Sequence, residues 1–93
     1  MNTRYIIVLF HKGIGYTIQT DDKPHIFFKK YAKVYKRIGS AVKKANYIFN
    51  HYINDKVCVF KVTLNEELSC DQYNNWYKDE NRLMWDSSKC YNY

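Results

Sequence analysis

The residues in this chain that could do chemistry are three histidines, three cysteines and a few paired acids. His11, His25 and His51 stand 14 and 26 residues apart. Metal sites draw on close pairs such as HxxxH or CxxC, and neither spacing occurs here, so no metal site is expected. Cys58 falls inside an apolar run and reads as an inert small hydrophobe, while Cys70 is followed by Asp71, which would not stabilise a thiolate. Three cysteines leave at least one unpaired, and reduced thiols are expected, with Cys70–Cys90 the one pairing open to consideration. Glu66-Glu67 and Asp79-Glu80 are adjacent in sequence. Neighbours on a strand or helix point apart, so these pairs do not form a shared acid–base centre. "HKGIG", His11 to Gly15, holds GxG without the rest of a dinucleotide fingerprint and reads as a hairpin turn, with His11 placed to donate to an anion there. No catalytic residue, metal or cofactor is expected, and the chain reads as a non-enzyme.

What the chemistry-bearing residues leave unexplained is charge. "KKYAKVYKRIGSAVKK", Lys29 to Lys44, carries seven lysines and arginines and no acid. The formal charge of +6 is unevenly placed: Met1 to Lys56 has eleven bases against three acids, and Val57 to Tyr93 has four against six. Such asymmetry points to a basic face that meets an anionic partner. Ten tyrosines in 93 residues add rings that belong at a core edge or an interface. The expected binding residues are Lys29, Lys30, Tyr31, Lys33, Tyr35, Lys36, Arg37, Lys43 and Lys44. If Tyr31 to Ile38 is a strand, Tyr31, Lys33, Tyr35 and Arg37 form an outward row, which is the arrangement that binds single-stranded nucleic acid. Ala32, Val34 and Ile38 would then point inward. If the segment is a helix, its tyrosines are core and charge alone remains.

The elements that must position these residues can be read from periodicity. "RYIIVLF" is a strand, and with "YTIQT" it makes a hairpin turning at Gly13 and Gly15. Apolar residues from Phe28 to Tyr52 recur at helical spacing, but Gly39-Ser40 favours a break, with Ser40 capping a helix "SAVKKANYIFNHYI" and a short strand before it. "KVCVFKVTL" is the next strand, with Phe60, Val62 and Leu64 the better core candidates and Val57 and Val59 on the other side. In the tail, "YNNWYKDENRLMW" is expected as a hairpin turning at "DEN" in preference to a short helix from about Asp71. Trp76 and Trp85 should pack this tail on the sheet. The expectation is a single α+β domain, 1–93: a small, mainly antiparallel sheet with one helix packed on it, a core over 4–64 and an aromatic C-terminal extension over 65–93.

The longest apolar run, "YIIVLF", is far short of the roughly 20 residues a membrane helix needs, and no signal peptide is recognisable. No membrane association is expected.

A strand pair, then "AKVYKRIGSAVKKANYIF", then "VCVFKVTL" resembles short accessory proteins encoded by bacteriophages, over roughly Arg4 to Leu64. That resemblance implies a host-takeover or anti-defence role in the cytoplasm of a bacterial cell, as in anti-CRISPR proteins, with a host or immune-system protein as the partner. Many anti-CRISPR proteins are acidic DNA mimics. This chain is basic, which leaves blocking by contact, competition for nucleic acid, or capture of a nucleotide, the last in a homo-oligomer.

Overall fold

The computed structural model describes residues 2–22, 28, 31–52 and 55–89. Two apolar strands form its centre. β1 (Thr3–His11) and β4 (Lys56–Thr63) pair antiparallel over eight positions, from Thr3 opposite Thr63 to Phe10 opposite Lys56. Both are rich in β-branched and aromatic residues, which suit a pleated surface packed on its faces. β2 (Gly15–Ile18) and β3 (Val34–Tyr35) both pair with β1 on its other side, and β5 (Leu83–Asp86) pairs with β4. The result is a five-stranded antiparallel sheet in the order β2-β1-β4-β5, with β3 continuing the β2 edge. The β1–β2 hairpin turns as expected, with Gly13 at φ +84° and Gly15 at φ +108°. No atom lies within 4 Å of a Cβ placed at Gly15, so backbone conformation rather than space calls for glycine there.

The sheet is buried on both faces. On one, α1 (Ile38–His51) lays Ala41, Ala45 and Ile48 over Ile7, Val57, Val59 and Trp85. The two alanines let the helix approach the sheet closely. On the other, Phe28, Ala32, Leu68, Tyr73 and Trp76 cover Ile6, Val8, Cys58, Phe60 and Val62. Val57 and Val59 are therefore core residues as fully as Phe60, and Leu64 is only half-buried. The expected ranking of the two β4 faces fails because a second layer lies beyond the sheet.

That layer is built by the tail. The segment expected as a hairpin is a helix, α2 (Cys70–Trp76), followed by a turn and β5. Ser69 and Gln72 supply the local reason: the Gln72 side chain accepts the Ser69 N–H at 3.1 Å, one half of a capping box. The S-x-x-Q spacing was the signal for it. Tyr73 and Trp76, three residues apart, then fall on one helical face and reach the sheet together. Trp76 and Trp85 do pack on the sheet as expected, one on each face, at 7% and 9% exposure.

Two further expectations are corrected. Gly39-Ser40 does not break the chain before α1. The helix starts at Ile38, with extended Arg37 as its cap and Ser40 within the first turn. Ile38, expected inward, is 41% exposed because it opens that turn instead of ending a strand. Among the described residues, no helix is long and apolar enough to cross a membrane.

Candidate functional site

Of the expected binding residues, Lys29 and Lys30 lie outside the described residues, as do His25 and Cys90. The structure separates the rest into two groups. Lys33 and Tyr35 tie the chain to the hairpin. The Lys33 N–H donates to the Gln19 carbonyl at 2.9 Å, its ammonium pairs with Asp21 at 3.7 Å, and the Tyr35 hydroxyl donates to Gln19 Oε1 at 2.7 Å. Tyr35 also packs against the α1 core. Burial raises its phenol above the ordinary value, against the opposing effect of the Gln19 hydrogen bond. Only Val34 and Tyr35 pair with β1, and the register that sets Tyr35 opposite Tyr5 turns its ring toward the helix layer. The outward Tyr–Lys–Tyr–Arg row is therefore not built, although Tyr31 is exposed.

The second group is exposed. Lys36 and Arg37 precede α1, and Lys43 and Lys44 stand on its solvent side. They are joined by residues that sequence reasoning passed over. Ser40, Lys43, Lys44 and Tyr47 line a groove of about 340 Å³. Lys44 Nζ lies 4.9 Å from the centre of the Tyr47 ring, within cation–π range. The Tyr47 and His51 rings stack at 4.0 Å and 16°, and Tyr52 meets Tyr47 edge-on at 6.4 Å. Helical geometry explains the assembly, since Lys44, Tyr47 and His51 follow one another at three- and four-residue steps on the face that flanks Ala41, Ala45 and Ile48. That face was legible once the buried stripe was known. No acid occurs between Ile38 and His51.

Around the side of α1 lies a larger cleft, of about 680 Å³, between the helix and the β1–β2 hairpin. Leu9, His11, Gln19, Lys44, Ile48, His51 and Tyr52 line it. His11 and His51, 40 residues apart, share this cleft because α1 runs alongside the end of β1. His11 lines the cleft while its carbonyl accepts the Ile14 N–H of the hairpin turn at 3.0 Å.

Glu66, Arg82 and Cys58 serve the fold. Glu66 pairs with Arg82 through both carboxylate oxygens, and that hydrogen bonding holds its carboxyl below the usual range. Arg82 in turn stacks on Trp76 at 4.4 Å. Cys58 is fully buried, and burial pushes its thiol up to about 12. Among the described residues, no three His, Cys, Asp or Glu side chains converge to hold a metal ion.

Lys56 is withdrawn from the basic surface. Its ammonium lies 3.5 Å from the centre of the Tyr77 ring, 5.5 Å from Phe10 and 5.9 Å from Tyr16. Lys56→Ala is expected to cost about 1–2 kcal/mol in a denaturant titration, since the charge sits among three rings and its stem is packed. Lys43→Ala, on the open face, should stay within about 0.5 kcal/mol of the parent. Equal effects would mean that the three rings do not hold the lysine.

No family model, no curated protein and no solved structure matches this chain.

Proposed function

We propose that this chain is a non-enzymatic, inhibitor-type binding protein that sets the basic, aromatic face of α1 against an acidic surface of a bacterial host or defence protein. The observation that carries this reading is the contiguous strip of Lys43, Lys44, Tyr47 and His51, joined by Tyr52, in a helix without acids. Interfaces draw much of their energy from a few aromatic and cationic side chains, and charge complementarity adds specificity and speed of association. The rings of the strip are already ordered, so docking loses little side-chain entropy. Their arrangement also favours a protein over single-stranded nucleic acid. Tyr47 stacks on His51 and lies under Lys44, so its faces are already engaged where a base would need one. The resemblance to phage accessory proteins supplies the class of partner.

The test is affinity capture from bacterial lysate with and without nuclease, comparing the parent with Lys43→Glu/Lys44→Glu. A stoichiometric protein that survives nuclease and is lost with the double variant supports the reading, with affinity falling at least about thirtyfold, near 2 kcal/mol. A partner that binds both proteins equally, or none at all, overturns it.

Direct nucleic-acid binding is the second reading, favoured by the four exposed cations Lys36, Arg37, Lys43 and Lys44 at one helix and its approach. Four phosphate contacts predict a log–log salt slope of about −3.6 on duplex DNA, or roughly a hundredfold loss between 50 and 200 mM salt. A flat salt dependence of DNA binding would exclude it.

A further inference from the structure

The cleft between α1 and the β1–β2 hairpin adjoins the docking face, sharing Lys44, His51 and Tyr52 with it, and we propose that it binds a nucleoside monophosphate. Its size, about 680 Å³, falls within the range of sites that enclose a small organic ligand. It exists because α1 packs over β1 and β4, while Thr17 of β2 stays exposed on the same side of the sheet. The β2 margin of that face is left as an open wall.

The lining divides into two kinds of surface. Leu9 and Ile48 give an apolar floor, and the Tyr52 and His51 rings stand at its rim. Lys44, His11 and Gln19 bring nitrogen donors. No acid lines the cleft among the described residues. Asp55, just before β4, has its carboxylate turned to the Lys12 N–H.

Two hydrogen bonds preset the polar groups. Gln19 Oε1 accepts from the Tyr35 hydroxyl, which leaves the carboxamide N–H₂ as the donor end for a ligand. The His51 Nδ1 lies 2.9 Å from the Tyr47 carbonyl, which can only accept, so the proton sits on Nδ1 and Nε2 faces outward chemistry. In the cation Nε2 donates to a phosphate oxygen. In the neutral ring it accepts from a ribose hydroxyl or a base amine.

This combination selects the ligand class. Inorganic phosphate or a sugar phosphate would satisfy the donors but set hydroxyls or water against Leu9 and Ile48. An uncharged aromatic would cover the floor and leave Lys44 unmatched. A planar base joined to a phosphate satisfies both halves, with the phosphate at Lys44 and the base over the floor.

Binding is measured by thermal shift and by amide chemical shifts on the intact chain. The probes are adenosine 5′-monophosphate and guanosine 5′-monophosphate, with adenosine, ribose 5-phosphate and inorganic phosphate for comparison. One monophosphate should raise Tm by at least about 11 °C at a hundredfold excess over its Kd. The comparison compounds should bind at least about tenfold more weakly. His11→Ala, Lys44→Glu and His51→Ala should each weaken binding by a similar factor, with Lys78→Glu as the exposed control. Amide shifts should centre on Leu9, Gln19 and Ile48.

Inorganic phosphate binding as tightly as the nucleotides would overturn the assignment of a base to the floor. No response to any probe at millimolar concentration, or full binding by Lys44→Glu, would overturn the site. Lys44 and His51 belong to both features, so the two readings are told apart by His11→Ala, which alters the cleft alone, and Lys43→Glu, which alters the docking face alone.

Discussion

Tyr73→Ala is expected to destabilise the protein by about 3–5 kcal/mol, the largest effect of any single truncation considered for this fold. Tyr73 is 1% exposed although it belongs to the polar tail. Its ring lies parallel to Phe60 at 6.0 Å and edge-on to Trp76 at 5.3 Å, with Tyr16 beyond at 6.4 Å. Removing it takes one ring from a four-ring cluster and leaves a cavity between α2 and the sheet, which the backbone of β4 cannot close. Small domains have about 5–15 kcal/mol in total, so the variant should lose a large share of its stability. In a chain of this length each kcal/mol moves Tm by roughly 4–8 °C, and a drop of at least about 12 °C is expected by circular dichroism. A loss below about 1 kcal/mol would mean that α2 rests on the sheet without forming its core.

Cys58 gives the second large effect, in the pH dependence of stability. Its thiol is raised from an ordinary value of 9.0 to about 12, chiefly by burial, with Lys56 lowering it and Asp86 raising it to smaller degrees. Below pH 9 the thiol is protonated in the folded and the unfolded chain alike, and its contribution to stability is fully present. Between pH 9 and 12 the unfolded chain releases a proton that the folded chain retains, so stability falls as pH rises. The slope is about 1.4 kcal/mol per pH unit, and the contribution is gone once pH passes the folded value. Tyr35, also raised by burial, acts with the same sign. Alkali acts on the rest of the chain as well, so the informative quantity is a difference. Denaturant titrations from pH 8 to 11 should show a steeper decline for the parent than for Cys58→Ala. Parallel declines would show that the thiol is not held neutral by the fold.

Much of the frame was legible from local patterns. β1 and β4 announced themselves by dense β-branched and aromatic runs, the first turn by Gly13 and Gly15, and α1 by an apolar stripe that includes Ala45 and Ile48. These features depend on spacings of two to four residues, which sequence displays directly. The basic character of Lys29 to Lys44 belongs to the same class, being a count of charges. α2 was less legible. Its capping pair, Ser69 and Gln72, is a local signal, but the buried residues it brings to the sheet are Leu68, Tyr73 and Trp76, with Tyr77 packed beside them. Three residues are too few to make a period stand out.

By itself, then, the sequence determined an α+β chain with two apolar strands, a glycine-turned hairpin and an acid-free basic helix. Only the tertiary structure decided that both faces of the sheet are covered, because that requires Tyr73 and Trp85 to reach β4 from beyond the loop that follows it. Pairing register alone decided that Tyr35 turns toward α1 while Tyr31 stays in solvent. The cleft shared by His11 and His51 was likewise beyond sequence reading. Its two sides are separated by 40 residues, and they meet because α1 crosses β1 and β4 at one particular place, set by the size of two alanines against Ile7, Val57 and Val59.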